Sequence, residues 1–476
     1  MLSKMICSIF ALCTASAIAS HAQTFTTLAS FDGSDGDGPV FVSLVQGIDG
    51  NFYGTTEYGG TGNGGTVFKI TPAGEVTTLH TFGIADGSSP FAGLVLSSNR
   101  KFYGTTSSGG TNGDGTVFAI TAAGKLTTLH SFNGADGGFP AAVLVQATNG
   151  RFYGTTLSGG ANNDGTVFAM TPVGKLSTLY AFGGADGAGP EAGLVQDANG
   201  NFYGTTRYGG AKGGNCSDAA GCGTVFEITA AGKLTTLYSF CAQTGCPDGS
   251  FPSAGLVQAT NGNFYGTTST GGVHDNGTVF EIPVGGTLTT LYRFCSQVGC
   301  ADGSSPEAGL IGATNGNFYG TTESGGAHYE GTIFEITAGG TLTTLYSFCP
   351  QMRCPDGGSP TGGLAQGTDG GLYGTTNQGG SGECPPGCGT VFSLSVGLGP
   401  FVQTNPMSGK AGAKVLILGN NLKGATSVTF NGIPATFKAS KMDITTKVPT
   451  GATTGTVVVT TPNGILTSNA PFQVSR

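Results

Sequence analysis

The stretch Asn201-Phe202-Tyr203-Gly204-Thr205-Thr206 limits what this chain can fold into because it keeps coming back. Tyr-Gly-Thr-Thr occurs seven times, with tyrosines at Tyr53, Tyr103, Tyr153, Tyr203, Tyr265, Tyr319 and Tyr373 and spacings of 50, 50, 50, 62, 54 and 54 residues. A unit of that length cannot bury its apolar face alone. It must stack on its neighbours, as in a solenoid, a propeller or an array.

The unit from Glu191 to Pro252 shows the local pattern. A short apolar run, Ala192 to Gln196, meets Asp197-Ala198-Asn199-Gly200, and Asn-Gly between apolar runs is a strong hairpin signal. Asn201 to Thr206 is rich in aromatic and β-branched residues, as is Gly223 to Ile228 after a variable loop. Ala230 to Lys233 makes a second tight turn, Leu234 to Phe240 a fourth strand, and Asp248-Gly249-Ser250-Phe251-Pro252 leads into the next unit. No segment has a helical period. Glycine supplies 88 of the 476 residues, and the glycines recur at fixed turn positions rather than every third residue.

Four antiparallel strands repeated seven times are what a seven-bladed β-propeller requires. The ends of the repeat region predict closure. The last unit stops after Gly389-Thr390-Val391-Phe392 and lacks its fourth strand, and Thr24 to Phe31 (TFTTLASF) is that strand, displaced to the other end of the chain. Pairing the two would leave the ring without an open edge. The expected architecture is all-β: a seven-bladed propeller over residues 24–399 closed by its N-terminal strand, then a small immunoglobulin-like β-sandwich over 400–476.

The first 22 residues read as a secretory leader, with Lys4 as the charged part, an apolar stretch from Ile6 to Ile18, and Ser20-His21-Ala22 before the cut. The apolar run is too short to span a bilayer, and no later stretch is long enough. A periplasmic, extracellular or cell-surface location follows. Charged residues are only 10% of the chain and the net charge is −8, which argues against a nucleic-acid partner.

Ten cysteines follow the leader, in close pairs: Cys216 with Cys222, Cys241 with Cys246, Cys295 with Cys300, Cys349 with Cys354, and Cys384 with Cys388. An even number in a secreted chain reads as disulfides, and each pair brackets an insertion absent from the shorter units. None has the CxxC spacing of a zinc ribbon. The insertions fall in the loop between strands two and three or in the loop from strand four to the next unit. Both connections belong to one face of an up-and-down blade, so that face is where a site is expected.

The aspartates of the seven DGxxP loops, Asp35, Asp86, Asp136, Asp186, Asp248, Asp302 and Asp356, could suggest a calcium ring, but their uniformity favours turn capping. The repeated tyrosines likewise read as core. Positions that differ between units are the candidates for binding: Tyr58, Arg207 and Tyr208 after the repeated motif, His274-Asp275 and His328-Tyr329-Glu330 in the following loops, and Glu191 and Glu307 where strand one begins, near the expected channel mouth. Aromatic and acidic groups on one face suit a glycan or a protein partner. Catalysis finds little support. There is no G-x-S-x-G, no HExxH and no phosphate-binding loop, His80 and His130 stand where other units have the Tyr of strand four, and no cofactor or metal is expected. A polysaccharide lyase or hydrolase at the channel mouth and a structural envelope protein are the alternatives.

Beyond Gly399 the composition changes. Pro406-Met407-Ser408-Gly409-Lys410-Ala411-Gly412, the run from Val415 ending in Gly419-Asn420-Asn421-Leu422, and Val428-Thr429-Phe430-Asn431-Gly432 resemble the IPT/TIG immunoglobulin-like family. That resemblance implies a spacer or binding module beside a larger extracellular domain. The repeats resemble the GloVer-type tandem repeats of secreted bacterial proteins, which implies a fold and no particular reaction. They are also similar to the two-component-regulator propeller repeat around Asp197-Ala198-Asn199-Gly200-Asn201-Phe202-Tyr203-Gly204-Thr205, with Tyr203 where that family has Trp.

Overall fold

The computed structural model describes residues 23–210, 216, 221–381, 384 and 387–475. The leader, expected over 1–22, lies outside the described residues. The described part is β-structure apart from one short 3-10 turn, Val298–Cys300. No helix in it is long and apolar enough to cross a membrane.

Among the described residues the repeats form seven four-stranded sheets, six of them made of consecutive strands. In the representative unit these are Val195–Gln196, Phe202–Thr206, Thr224–Ile228 and Leu234–Ser239, paired antiparallel in that order. The seventh sheet is composite. The N-terminal strand Thr24–Ser30 pairs with Thr390–Ser395, running from Thr24 opposite Ser395 to Ser30 opposite Thr390. The expected strand exchange between the chain ends is therefore present. The parallel alternative, an open array, would have left that strand's edge unpaired.

The repeated motif holds the sheets to one another. Its strand alternates faces, so Phe202 and Tyr203 leave on opposite sides. Phe202 stacks on Tyr153 of the preceding sheet at 4.0 Å between ring centroids, and Tyr203 stacks on Phe264 of the next at 4.2 Å. The same contact joins Tyr373 of the last sheet to Phe52 of the first, which closes the ring. At one junction Leu372 replaces the phenylalanine against Tyr319. Gly204 lies opposite Phe226, and a Cβ there would sit 2.7 Å from the Phe226 ring, so only glycine admits the aromatic. Thr205 donates to the Ala254 carbonyl of the next sheet at 2.9 Å, and Thr206 shares a 2.8 Å hydrogen bond with Thr224 of its own. Every residue of Tyr-Gly-Thr-Thr thus has a packing partner, and a stacked aromatic pair contributes about 1 kcal/mol beyond its buried area.

The C-terminal segment is a sandwich of two four-stranded sheets. One holds Val402–Asn405, Lys414–Gly419, Asp443–Lys447 and Phe437–Ala439, and the other Ile433–Pro434, Ser427–Phe430, Val457–Thr461 and Gly464–Thr467. Its core contains Val402, Ile417, Phe430, Ile444, Val459 and Phe472. Residues 415–418, Val-Leu-Ile-Leu, are buried on both faces of their strand. Ile417 enters the sandwich core, while Leu416 and Leu418 pack with Leu96 and Phe102 of the ring. That is why the run reads as continuously apolar rather than alternating. Around this contact Arg100 pairs with the buried carboxylate of Asp443 at 2.7 Å, the Phe401 N–H donates to the Thr368 carbonyl at 3.1 Å, and Asn405 donates to the Leu96 carbonyl. The sandwich therefore sits on the tight-turn face of the ring, opposite the inserted loops.

Candidate functional site

The loop face is built from the two long connections of each unit. All five cysteine pairs form disulfides within their own insertions. Cys222, Cys241 and Cys246 lie together, as do Asp37, Cys384 and Cys388, and every sulfur in these groups is already bonded to another.

The aspartates of the DGxxP loops behave as braces. Asp248, Asp302 and Asp356 each accept the outer-strand phenol, from Tyr238, Tyr292 and Tyr346, at 2.8 Å. Tyr180 donates to Asp186 in the same way. In two units the histidine takes over, His80 on Asp86 at 2.8 Å and His130 on Asp136 at 2.9 Å. In the composite sheet Ala29 stands at the tyrosine position, and Asp35 instead accepts from the Asp32 N–H at 3.0 Å. The carboxylates hold the outer strand to its loop rather than forming an ion ring.

One set of equivalent positions does differ. The residue four places before each inner strand lies at the mouth of the central channel. Around the ring it is Phe41, Phe91, Ala141, Glu191, Ser253, Glu307 and Thr361, and all seven line one cavity of about 240 Å³. Below the mouth the lining is mostly backbone. A Cβ on Gly193 would lie 2.9 Å from the Val143 carbonyl oxygen, and one on Gly255 3.1 Å from that of Gly193. The glycines let neighbouring inner strands approach, and with Ser43 and Val143 at the same position in two units most of the side-chain chemistry lies at the rim.

The rim is two-sided. Phe41 and Phe91 pack ring against ring, 5.0 Å between centroids, with Ala141 beside them in sequence around the channel. Across the cavity Glu191 pairs with Arg207 at 2.9 Å, and Arg207 lies 5.7 Å from the centre of the Tyr208 ring. Ser253 donates to the Glu307 carboxylate at 2.8 Å. Burial pushes the Glu191 carboxyl above the usual carboxylate range, with Arg207 pulling it back and Glu307 adding to the rise. Glu323 is raised first by burial and then by the charge of Glu307. Glu57 is raised mainly by burial, and the Glu57 carboxylate in turn helps push the Tyr58 phenol up to about 12. The Nε of Arg207 is buried without a hydrogen-bond partner.

Of the residues singled out from sequence, Glu191 and Glu307 line this mouth, and Arg207, with Tyr208 beside it, joins them through its pair with Glu191. Tyr58 is 43% exposed on the loop face beside Asp37. His274, His328 and Tyr329 stand exposed on outer loops, and Tyr329 is near the Cys295–Cys300 loop. No described side-chain hydrogen bond or ion pair joins either histidine to a carboxylate. Asp275 accepts from the Gly271 N–H of its own loop at 2.8 Å, the part played by Asn63 and Asn163 in shorter units. The Glu330 carbonyl accepts from Ser359 at 2.9 Å. Phe41, Phe91, Ser253 and Thr361 are the rim residues that reading single units overlooks. Aligning the residue twelve places before the Tyr of each Tyr-Gly-Thr-Thr would have found them.

Residues 12–217 and 214–426 match the Gloeobacter/Verrucomicrobia repeat, and residues 402–474 match the IPT/TIG domain. The chain belongs to the Gloeobacter/Verrucomicrobia repeat family. Its C-terminal sandwich is an IPT/TIG domain. Among solved structures it is similar to virginiamycin B lyase from Staphylococcus aureus, at 12% identity over 79% of this chain and 99% of that one, with a TM-score of 0.51. It is also similar to the extracellular domain of a putative hybrid two component system from B. thetaiotaomicron, at 11% identity and a TM-score of 0.50, covering 95% of this chain and 58% of that one. At such identities the likeness is one of fold, the β-propeller. No curated protein matches the chain.

Proposed function

We propose that this is a secreted, non-catalytic binding protein that recognises a glycan or a protein partner at the channel mouth on its disulfide-braced face. The observation that carries the reading is the rim. Its seven equivalent positions carry aromatic, acidic, hydroxyl or small side chains, and all face one cavity. Small, mostly apolar cavities with a few directed polar groups are the usual form of a ligand site. The division proposed is a leader over 1–22, a seven-bladed propeller over 24–399 and the IPT/TIG domain over 400–476. Five disulfides accord with a periplasmic or extracellular setting, where such bonds persist. The lyase or hydrolase alternative would need His274 or His328 beside a carboxylate at the mouth, and the described contacts contain no such pair.

The test is a glycan-array and protein pull-down screen with the full mature chain, repeated with Arg207→Ala and Glu307→Gln. The expected result is a ligand whose affinity falls at least about tenfold in both variants. Finding no ligand, or one indifferent to both changes, would overturn the proposal.

A further inference from the structure

We infer that the ligand of the channel mouth is a cationic amino sugar, a saccharide ring bearing a protonated amine, seated with its ring face on Phe41 and Phe91 and its amine toward Glu307. This rests on the binding reading above and narrows it to one chemistry.

Two independent features of the rim lead there. The first is an excess of negative charge. Arg207 is the counter-ion of Glu191 and also feels the charge of Glu307, so one guanidinium stands against Glu191, Glu307 and Glu323, and among the described residues no cation forms an ion pair with Glu307 or Glu323. A carboxylate withdrawn from water without a cationic partner is costly, and an incoming ammonium group offsets that cost through short charge-assisted hydrogen bonds. The same excess of negative charge repels phosphate, sulfate and uronic acids. The second feature is the opposite wall. Phe41, Phe91 and Ala141 occupy three consecutive positions of the rim, so the cavity has an apolar side on which a flat, weakly polar ring face fits. A bare metal ion would have no use for that wall. A cavity of about 240 Å³ is below the size usual for drug-like ligands, so it suits a single sugar unit of a longer chain better than a folded segment of protein.

The experiment is isothermal titration calorimetry on the full mature chain with oligosaccharides of β-1,4-linked glucosamine, at mildly acidic pH. The N-acetylated oligosaccharide of the same length, a neutral gluco-oligosaccharide, calcium chloride alone and a lysine-containing peptide serve as comparisons. The amine form should bind at least about tenfold tighter than the N-acetylated form. Glu307→Gln, which keeps the side-chain shape, should bring that ratio close to one, and Phe41→Ala with Phe91→Ala should weaken both sugars alike. Thermal unfolding of each variant checks that it folds. Equal or tighter binding of the N-acetylated or neutral sugar, lost on removing the phenylalanines, would overturn the amine assignment and leave the binding reading standing. Binding of calcium or of the peptide alone would overturn the amino-sugar assignment. No binding by any probe, with the array also blank, would overturn both.

Discussion

The two faces of the ring are made from the same units, yet they differ in every respect that bears on function. The tight-turn face repeats itself closely. Its hairpins carry Asn or Asp three residues before the Tyr-Gly-Thr-Thr strand begins, and several place that side chain on the repeated tyrosine, as Asn149 does on Tyr153 at 2.9 Å and Asp369 on Tyr373 at 2.7 Å. Three neighbouring turns of this face are then engaged by the IPT/TIG domain. The loop face varies in length from unit to unit, carries all five disulfides, and surrounds the cavity mouth. Repetition marks the parts whose task is to pack against an identical neighbour. Divergence marks the parts that face something other than another copy.

The largest expected effect breaks the packing side of this contrast. Tyr203→Ala removes a buried ring stacked between sheets and should cost about 3–5 kcal/mol, read as a lower denaturant midpoint. A loss below about 1 kcal/mol would mean that the repeated tyrosine is not core. Next come the loops. Cys349→Ser with Cys354→Ser should cost about 2 kcal/mol or less, because a disulfide closing so short a loop removes little chain entropy. The change should appear as faster hydrogen exchange confined to residues 349–357 while the ring strands stay protected. Spread of exchange into the ring would show that the disulfides hold the scaffold.

A comparable effect is expected on the opposite face. Arg100→Ala leaves the Asp443 carboxylate buried without its cation and should cost about 2 kcal/mol of docking. It would be read as increased exchange along 402–419 with little change in the inner sheets. Unchanged exchange there would argue that Leu416 and Leu418 alone fix the domain. The smallest effect sharpens the account of the rim. The raised carboxyls of Glu323 and Glu191 mean that the folded state holds protons more tightly than the unfolded state, so each carboxylate subtracts stability above its folded pKa and ceases to do so as pH falls through it. Glu323→Gln should therefore raise the thermal midpoint slightly at neutral pH, and the difference should shrink on acidification through the carboxylate range. A gain that persists at low pH would place its cause elsewhere.

Much of this was legible before any coordinates. The strand pattern, the displaced closing strand at Thr24 and the disulfide partners all depend on neighbours in sequence or on exact repetition, and those survive in a string of letters. The doubled role of Val415 to Leu418 was half visible. A continuous apolar run signals burial on both faces, but not that Leu416 and Leu418 would meet Leu96 and Phe102. The candidate site was partly visible too. Glu191 and Glu307 stand out as charged residues at the start of a strand, whereas Phe41 and Phe91 look like ordinary apolar residues until the ring turns them toward the same space.

By itself, then, the sequence determined the unit, its strands and turns, the number of copies and the way the chain ends meet, because those follow from local periodicity, turn chemistry and the need to bury an apolar face. Only the tertiary structure decided which side chains share a cavity and which face the IPT/TIG domain covers. Rim residues lie roughly fifty or more positions apart along the chain and touch one another only because the sheets close into a ring. Their meeting is a property of that closure and of no segment on its own.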